Sequence, residues 1–354
     1  MSPTIAAAAA LVLVIRPAPK GATTGMTTLT AAVSSAAKPG ADLVHHFRLS
    51  MAAAVLAAAA CGTARAQSSQ GEAAPIEPAP AQSPVTVSLF GEGRLAFRAN
   101  LKSSPGDVQV WNTGGGASIR FPVSEQWRLT FRVHGEYSNY DFGGATALVP
   151  GAADPFDDMY EAGTAILAEG AISGPWSLST GAYIRSAGEP GAAFGDTLWG
   201  GGFVGVGYAF SESFRLTIGG GITTRLDDNP LFVPVVGIEW QITERLRLET
   251  QGFDLLLKWE PRSWLEVYAK GAWEYRQFRL DDDRAALPSG VIRDNRFPVG
   301  GGVAFKPFHG LRIAIEGGAI VYQEFDVLRS SGNKLTDVET EPAAYIMLRV
   351  DYRF

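Results

Sequence analysis

From residue 84 to its end the chain alternates between apolar and polar positions. In the last segment, AAYIMLRVDYRF (343–354), Ala344, Ile346, Leu348, Val350 and Tyr352 share one face, and Met347, Arg349, Asp351 and Arg353 share the other. A period of two belongs to an extended strand with one oily and one polar face. QWRLTFRV (126–133), FRLTIGG (214–220), RLRLET (245–250) and LRIAIE (311–316) repeat the pattern. Each follows a short polar turn: SEQ (124–126), SES (211–213), TER (243–245) and HG (309–310). SGP before Trp176 and PRS before Trp264 look the same.

The other connections, 101–112, 141–157, 187–196, 281–295 and 329–341, are longer and richer in Gly, Pro and Asp. Short turns therefore alternate with long loops, as in an antiparallel up-and-down meander that places all its turns at one end. The pattern predicts strands at 84–100, 113–122, 127–140, 157–171, 176–186, 195–210, 213–226, 231–241, 245–251, 253–260, 264–280, 296–307, 311–328 and 341–354. That is about 14; fusing the pair at 245–260 makes 12, and a missed pair makes 16. An even number returns both ends of the barrel to the short-turn side.

Composition changes the picture at the N-terminus. The first 66 residues hold one acidic residue, Asp42. Arg48, the apolar run 51–60 and the A-x-A site Ala64-Arg65-Ala66 form the three parts of a secretory signal peptide, cleaved after Ala66. The 44 residues before it read as an over-extended start, and 67–83, rich in Pro, Ala and Gln, as a disordered linker. Domain boundaries are thus 1–44, 45–66, 67–83 and 84–354. Cleavage removes five of 30 basic and one of 36 acidic residues, so the net charge moves from −6 to −10, against a nucleic-acid partner. Cys61 is the single cysteine, which excludes an internal disulfide; the Leu that lipidation uses three positions upstream is replaced by Ala58.

A soluble sandwich also alternates. Export, the sustained turn and loop alternation, aromatics beside the short turns, and a chain that ends on an oily strand together favour strands whose oily faces meet lipid. In lipid every backbone group needs a partner, so such a sheet must close. The fold class is therefore all-β, a transmembrane antiparallel up-and-down β-barrel of about 14 strands. YIMLRVDYRF resembles the C-terminal strand of Gram-negative outer-membrane β-barrels, and residues 200–354 are similar to an uncharacterised proteobacterial porin-like family, through GGGFVGVGYAFSESFRLTIGGG, PVVGIEWQITERLRLET and the terminal strand. The resemblance implies residence in the cell outer membrane among its lipids. It also implies recognition by the barrel-assembly machinery through Tyr352 and Phe354.

Inside such a barrel the polar faces line a lumen. The candidates are Arg128, Arg132, His134, Glu136, Arg215, Arg247, Glu249, Lys270, Glu274, Arg276, Arg312, Glu316, Arg349 and Asp351, with Arg245 beside them. Both signs recur, as in paired filling or a water-filled ion path. No cofactor or metal pattern is present. The acidic stretches at 152–160 and 281–283 lack EF-hand spacing, and GGGFVGVG (200–207) shows strand alternation without a following helix. No GxSxG occurs, and Ser138 stands about 13 Å along the strand from His134, too far for a nucleophile and base. The expected role is a porin-like channel, passive or weakly selective for small hydrophilic solutes or ions, and not an enzyme. The alternative is a closed structural or surface-binding barrel acting through loops such as Asp281, Asp282 and Asp283.

Overall fold

The computed structural model describes residues 11–14, 30–33, 85–149, 152, 154–227 and 230–354. In the unit 1–49, Leu11–Val14 and Thr30–Val33 pair antiparallel. The expected signal peptide and linker lie outside the described residues, as does all but those two strands of the segment 1–44. In the unit 50–354, fourteen antiparallel strands close into a barrel among the described residues. They are β1 (Thr86–Asn100), β2 (Asp107–Pro122), β3 (Trp127–Gly143), β4 (Asp158–Ser173), β5 (Trp176–Gly188), β6 (Leu198–Ser211) and β7 (Phe214–Thr223). Then come β8 (Leu231–Gln241), β9 (Leu246–Gln251), β10 (Asp254–Arg262), β11 in two segments (Leu265–Ala272 and Glu274–Arg279), β12 (Val291–Phe305), β13 (Leu311–Leu328) and β14 in two segments (Lys334–Glu339 and Ala343–Arg353). β14 pairs with β13 on one side and β1 on the other, which closes the ring.

The β9–β10 hairpin turns on two residues, Gly252 and Phe253. Gly252 has φ +65°, a left-handed conformation that a residue without Cβ adopts cheaply. The two broken strands have a chemical reason. Pro298 on β12 faces the position of Ala272, where β11 breaks, and Pro342 lies in the gap of β14. Neither proline has an N–H to give to the ladder.

Near the turn end and through its middle, the outer wall is apolar: Ile218, Ile222, Val236, Leu255, Val299, Ile315 and Ile346 are exposed. Ring contacts run along the short-turn rim, from Trp176 to Tyr208 (4.7 Å), Phe210 (4.9 Å), Phe214 (5.4 Å) and Trp240 (5.9 Å). On β13 the apolar outer stretch runs from Leu311 to Tyr322, long enough to cover an apolar band about 25 Å tall at the usual strand tilt.

Beyond that height the pattern inverts. On β13 an extra residue shifts the register between Phe297 and Pro298 of its partner, so Val321 and Tyr322 are 45% and 39% exposed while Ile320 and Gln323 on either side are buried. β1 does the same at Phe97 and Arg98, between buried Ala96 and Ala99. A bulge of one residue exchanges the faces of everything after it. On β13 the bulge turns Phe325 and Val327 inward, while on β2, β3, β11 and β12 the inward face keeps its parity and becomes oily at this height, so Val108, Val110, Phe142, Phe278 and Ile292 are buried inside. Charged groups face outward: Arg98 pairs with Asp107 and Asp141, Lys102 with Glu339 (2.9 Å), and Lys334 with Asp326 (2.7 Å). The barrel has an oily exterior below and an oily interior above.

This inversion corrects the loop boundaries. Segments expected as loop at 101–112, 281–295 and 329–341 contain strand from Asp107, from Val291 and over Lys334–Glu339. Their oily residues face in, so an outward oily face ends early in the sequence although the ladder continues.

Candidate functional site

The lower half of the lumen is a cavity of about 2650 Å³ reaching the short-turn end. Arg128, Arg132, His134, Glu136, Arg215, Arg247, Glu249, Lys270, Glu274, Arg276, Arg312, Arg349 and Asp351 all line it. Of the remaining candidates, Glu316 is buried deeper in the wall and accepts a hydrogen bond from the Tyr345 hydroxyl at 2.8 Å. Arg245 is corrected: it sits in the turn before β9, its guanidinium 3.4 Å from the Pro261 carbonyl. Tyr352 and Phe354 stand at the turn-side rim with their rings 4.6 Å apart, and the Phe354 amide donates to the Val87 carbonyl at 2.9 Å.

Most of the cavity's charges are paired within the wall. Arg349 meets Glu92 at 2.8 Å, Lys270 meets Asp254 at 2.9 Å, Lys258 meets Glu249 at 2.6 Å and Arg312 meets Glu266 at 2.7 Å. His134 Nε2 lies 3.2 Å from Glu161, which also takes Arg185 at 2.8 Å. Ser138 has other partners, Asn112 and Arg276, so His134 and Ser138 are not joined.

The other wall is different. β6 to β8 present Phe203, Val233 and Val235 together with Gly201, Gly205, Gly219 and Gly221 to the interior. The Gly205–Gly219 pair is required by closeness: a Cβ on Gly219 would lie 2.0 Å from the Val204 carbonyl oxygen. Above the Arg215–Glu239 pair near the turn end, the cavity is thus charged on one side and apolar on the other.

Its roof is a layer of side chains that bond across the barrel. Arg94 on β1 pairs with Glu274 on β11 at 2.7 Å, and Arg276 on β11 pairs with Glu136 on β3. Tyr140 on β3 donates to Asp294 on β12 at 2.7 Å. Arg296 on β12 is fully buried; it pairs with Asp294 and donates to Tyr140 (3.0 Å) and to Asn112 on β2 (3.2 Å). Gln323 adds a donor to Asp294 at 2.9 Å. These bonds bridge the interior between β1 to β3 on one side and β11 to β12 on the other.

Above this layer is a second closure. The loop after β3 folds inward and places Ala145, Leu148, Val149 and Phe156 among Tyr140, Phe142 and Phe325, with Phe142–Phe156 ring centroids 4.8 Å apart. The loop after β11 adds Leu280 and Leu287. At the same level β11 crosses to β5: Arg279 aligns with Gly188, and the Glu189 amide donates to the Arg279 carbonyl at 2.8 Å. The contact closes a smaller ring from β1 to β5 and β11 to β14, leaving β6 to β10 short. The loop after β7 packs beside this seam, where the Leu226 amide donates to Gln277 at 3.1 Å.

The sequence placed charges on the inner face but missed this double seal. Asn112, Tyr140 and the pair Asp294 and Arg296 come from three strands, β2, β3 and β12, and none carries a local motif. Arg284, in the loop after β11, pairs with Glu189, and the Ser289 hydroxyl donates to Asp282, so the acidic stretch 281–283 is tied into the closing loops. Among the described residues no group of three or more His, Cys, Asp and Glu side chains is placed to hold a metal ion.

No family model matches the chain, and no curated protein matches it. Among solved structures, the toluene transporter TodX of P. putida is similar at 10% identity and TM-score 0.42, over 78% of this chain and 90% of that one. An outer membrane channel from Pseudomonas putida F1 is similar at 10% identity and TM-score 0.42, over 80% and 100%. The translocator domain of autotransporter NalP from Neisseria meningitidis has 9% identity and TM-score 0.29, over 88% and 98%. At these scores the likenesses carry no functional weight.

Proposed function

We propose that this chain is an outer-membrane channel for small hydrophilic solutes or ions, held in this structure with its outer end shut. The observation that carries the reading is the cavity of about 2650 Å³, lined by ionic groups and reaching the turn end. A barrel serving only as a scaffold has no use for a wet half-lumen, since paired side chains fill a structural interior. The apolar outer belt with its aromatic rim supports a membrane setting, and the signal peptide supports export to the outer membrane. The short turns then face the periplasm and the sealed end faces outward. The chain ends on a closing strand whose Tyr352 and Phe354 serve recognition by the assembly machinery.

The upper seal is made of two inward-folded loops over one layer of side chains, and these are the parts that open. The test is single-channel recording in planar bilayers. The intact barrel is expected to show rare or very small openings. A variant with residues 145–156 replaced by a short Gly-Ser linker, and 282–288 shortened likewise, exposes the ionic layer to water from both sides. Steady openings are expected, with a reversal potential in a salt gradient. Silence from that variant, with folding shown by heat-shifted gel mobility, would refute the channel reading.

A further inference from the structure

Arg120, Arg128 and Arg132 form a patch on the inner wall between the turn end and the roof, and all three line the cavity. Arg128 and Arg132 are four residues apart on one face of β3. Arg120 on β2 aligns with Thr130 between them. Neighbouring guanidinium-bearing positions are thus about 7 Å apart along the strands. Most inner-wall cations have a carboxylate within 3 Å, but these do not. Among the described residues Arg128 and Arg132 make no ion pair, and Arg120 reaches only Glu169, at 3.8 Å, while donating to the Thr130 hydroxyl at 3.2 Å. Three cations share one loosely held carboxylate.

The register shows what adjoins the patch. Arg132 aligns with Ala165 on β4, which aligns with Tyr183 on β5. One level down, Thr130, Leu167, Gly181, Phe203, Gly221 and Val233 follow one another across six strands. A basic patch short of partners therefore continues along the wall into an apolar one, where the Phe203 ring takes the space that a Cβ on Gly181 would need (2.7 Å) and Leu167 and Phe203 are the apolar side chains nearest the patch. Beside it, the indole N–H of Trp199, a residue 6% exposed that also lines the cavity, is buried without a partner, next to the Arg185 guanidinium 5.0 Å from its ring.

We propose that this wall is a binding site for small organic anions: a carboxylate held by the Arg120, Arg128 and Arg132 forks, with an apolar body against Leu167 and Phe203. A guanidinium presents a planar pair of donors that matches a carboxylate, and in a partly enclosed lumen such pairs gain over their strength in bulk water. The site deepens the channel reading by giving the solute a charge and a shape. Binding needs no passage, so the two are tested apart.

The experiment is calorimetric titration of the folded, detergent-solubilised barrel with hexanoate, hexanamide and hexylamine, each against a detergent blank. Hexanoate is expected to bind at least about tenfold more tightly than hexanamide, a gap of about 1.4 kcal/mol. Hexylamine is expected to bind more weakly still. Acetate is expected to bind more weakly than hexanoate, because it lacks the body. The pair Arg128→Gln and Arg132→Gln should bring hexanoate within twofold of hexanamide. Arg128→Lys with Arg132→Lys should retain part of the preference, since charge remains and the fork is lost. Phe203→Ala should weaken hexanoate and hexanamide alike. Equal affinity of the intact barrel for hexanoate and hexanamide would overturn the proposal, as would a tenfold preference surviving in the Gln variant. If the linker variant described above conducts while hexanoate and hexanamide bind equally, this inference fails and the channel reading stands. If hexanoate binds selectively and that variant is silent, the reverse holds.

Discussion

Arg296 is the keystone of the ionic layer, and its removal makes the sharpest test of how the outer end is held. Both Arg296 and Asp294 are fully buried. Arg296→Met would leave the Asp294 carboxylate with Tyr140 and Gln323 as donors and no cation in contact, and Asp294→Leu would leave the guanidinium with two neutral acceptors, Tyr140 and Asn112. Breaking a buried pair from one side costs about 3–5 kcal/mol, because an uncompensated charge stays in a poor solvent. Replacing both partners with apolar residues of similar volume removes both charges together, and such exchanges are often close to neutral. The apolar plug above supplies the packing surface that Met and Leu need. If the singles were independent the double variant would lose about 6–10 kcal/mol; the expected loss is below about 2 kcal/mol, a coupling of at least about 4 kcal/mol. The assay is guanidinium unfolding of the barrel in lipid vesicles, followed by tryptophan fluorescence and heat-shifted gel mobility. Additive single effects, or singles that each cost less than about 1 kcal/mol, would refute the reasoning and show that the layer is hydrated.

Further outcomes follow from other parts of the molecule. Gly219→Val should cost about 1–3 kcal/mol or abolish folding, since its Cβ meets backbone of the neighbouring strand; Gly195→Ala, with open space around it, should be neutral in the same unfolding assay. Deleting Phe354 removes one hydrogen bond to Val87 and one ring contact, so refolding from denaturant should change little. Folded barrel in cells should fall several-fold if the residue is read by the assembly machinery, and equal losses in both settings would argue for a purely structural role. Above the membrane, the close contact of Lys334 with Asp326 raises the lysine pKa against the smaller opposing effect of burial. Its stabilising contribution is complete below the ordinary lysine pKa and fades as pH rises through the raised one. Both partners are near the surface, so the effect on stability should be small, and NMR titration should show the Lys334 pKa fall toward normal in Asp326→Asn.

What was legible in the sequence was everything with a period of two and an oily face turned outward. The strands from Trp127, Trp176, Phe214, Leu265 and Leu311 begin beside their short turns as expected, and the tight Gly252 turn keeps the ring at fourteen. Local chemistry suffices there, because the lipid-facing side of each strand is written in consecutive alternate residues. The closed outer end was not legible. It depends on oily residues taking over inward positions of β2, β3, β11 and β12, on bulges at Phe97 and Val321 that exchange inside for outside on β1 and β13, and on two loops that fold inward. It also depends on contacts such as Arg276 with Glu136, 140 residues apart in the chain. A period of two states that residues share a face but not which solvent that face meets, and it holds no information about what stands across a lumen. That is decided only when the ring closes and brings β3 against β11.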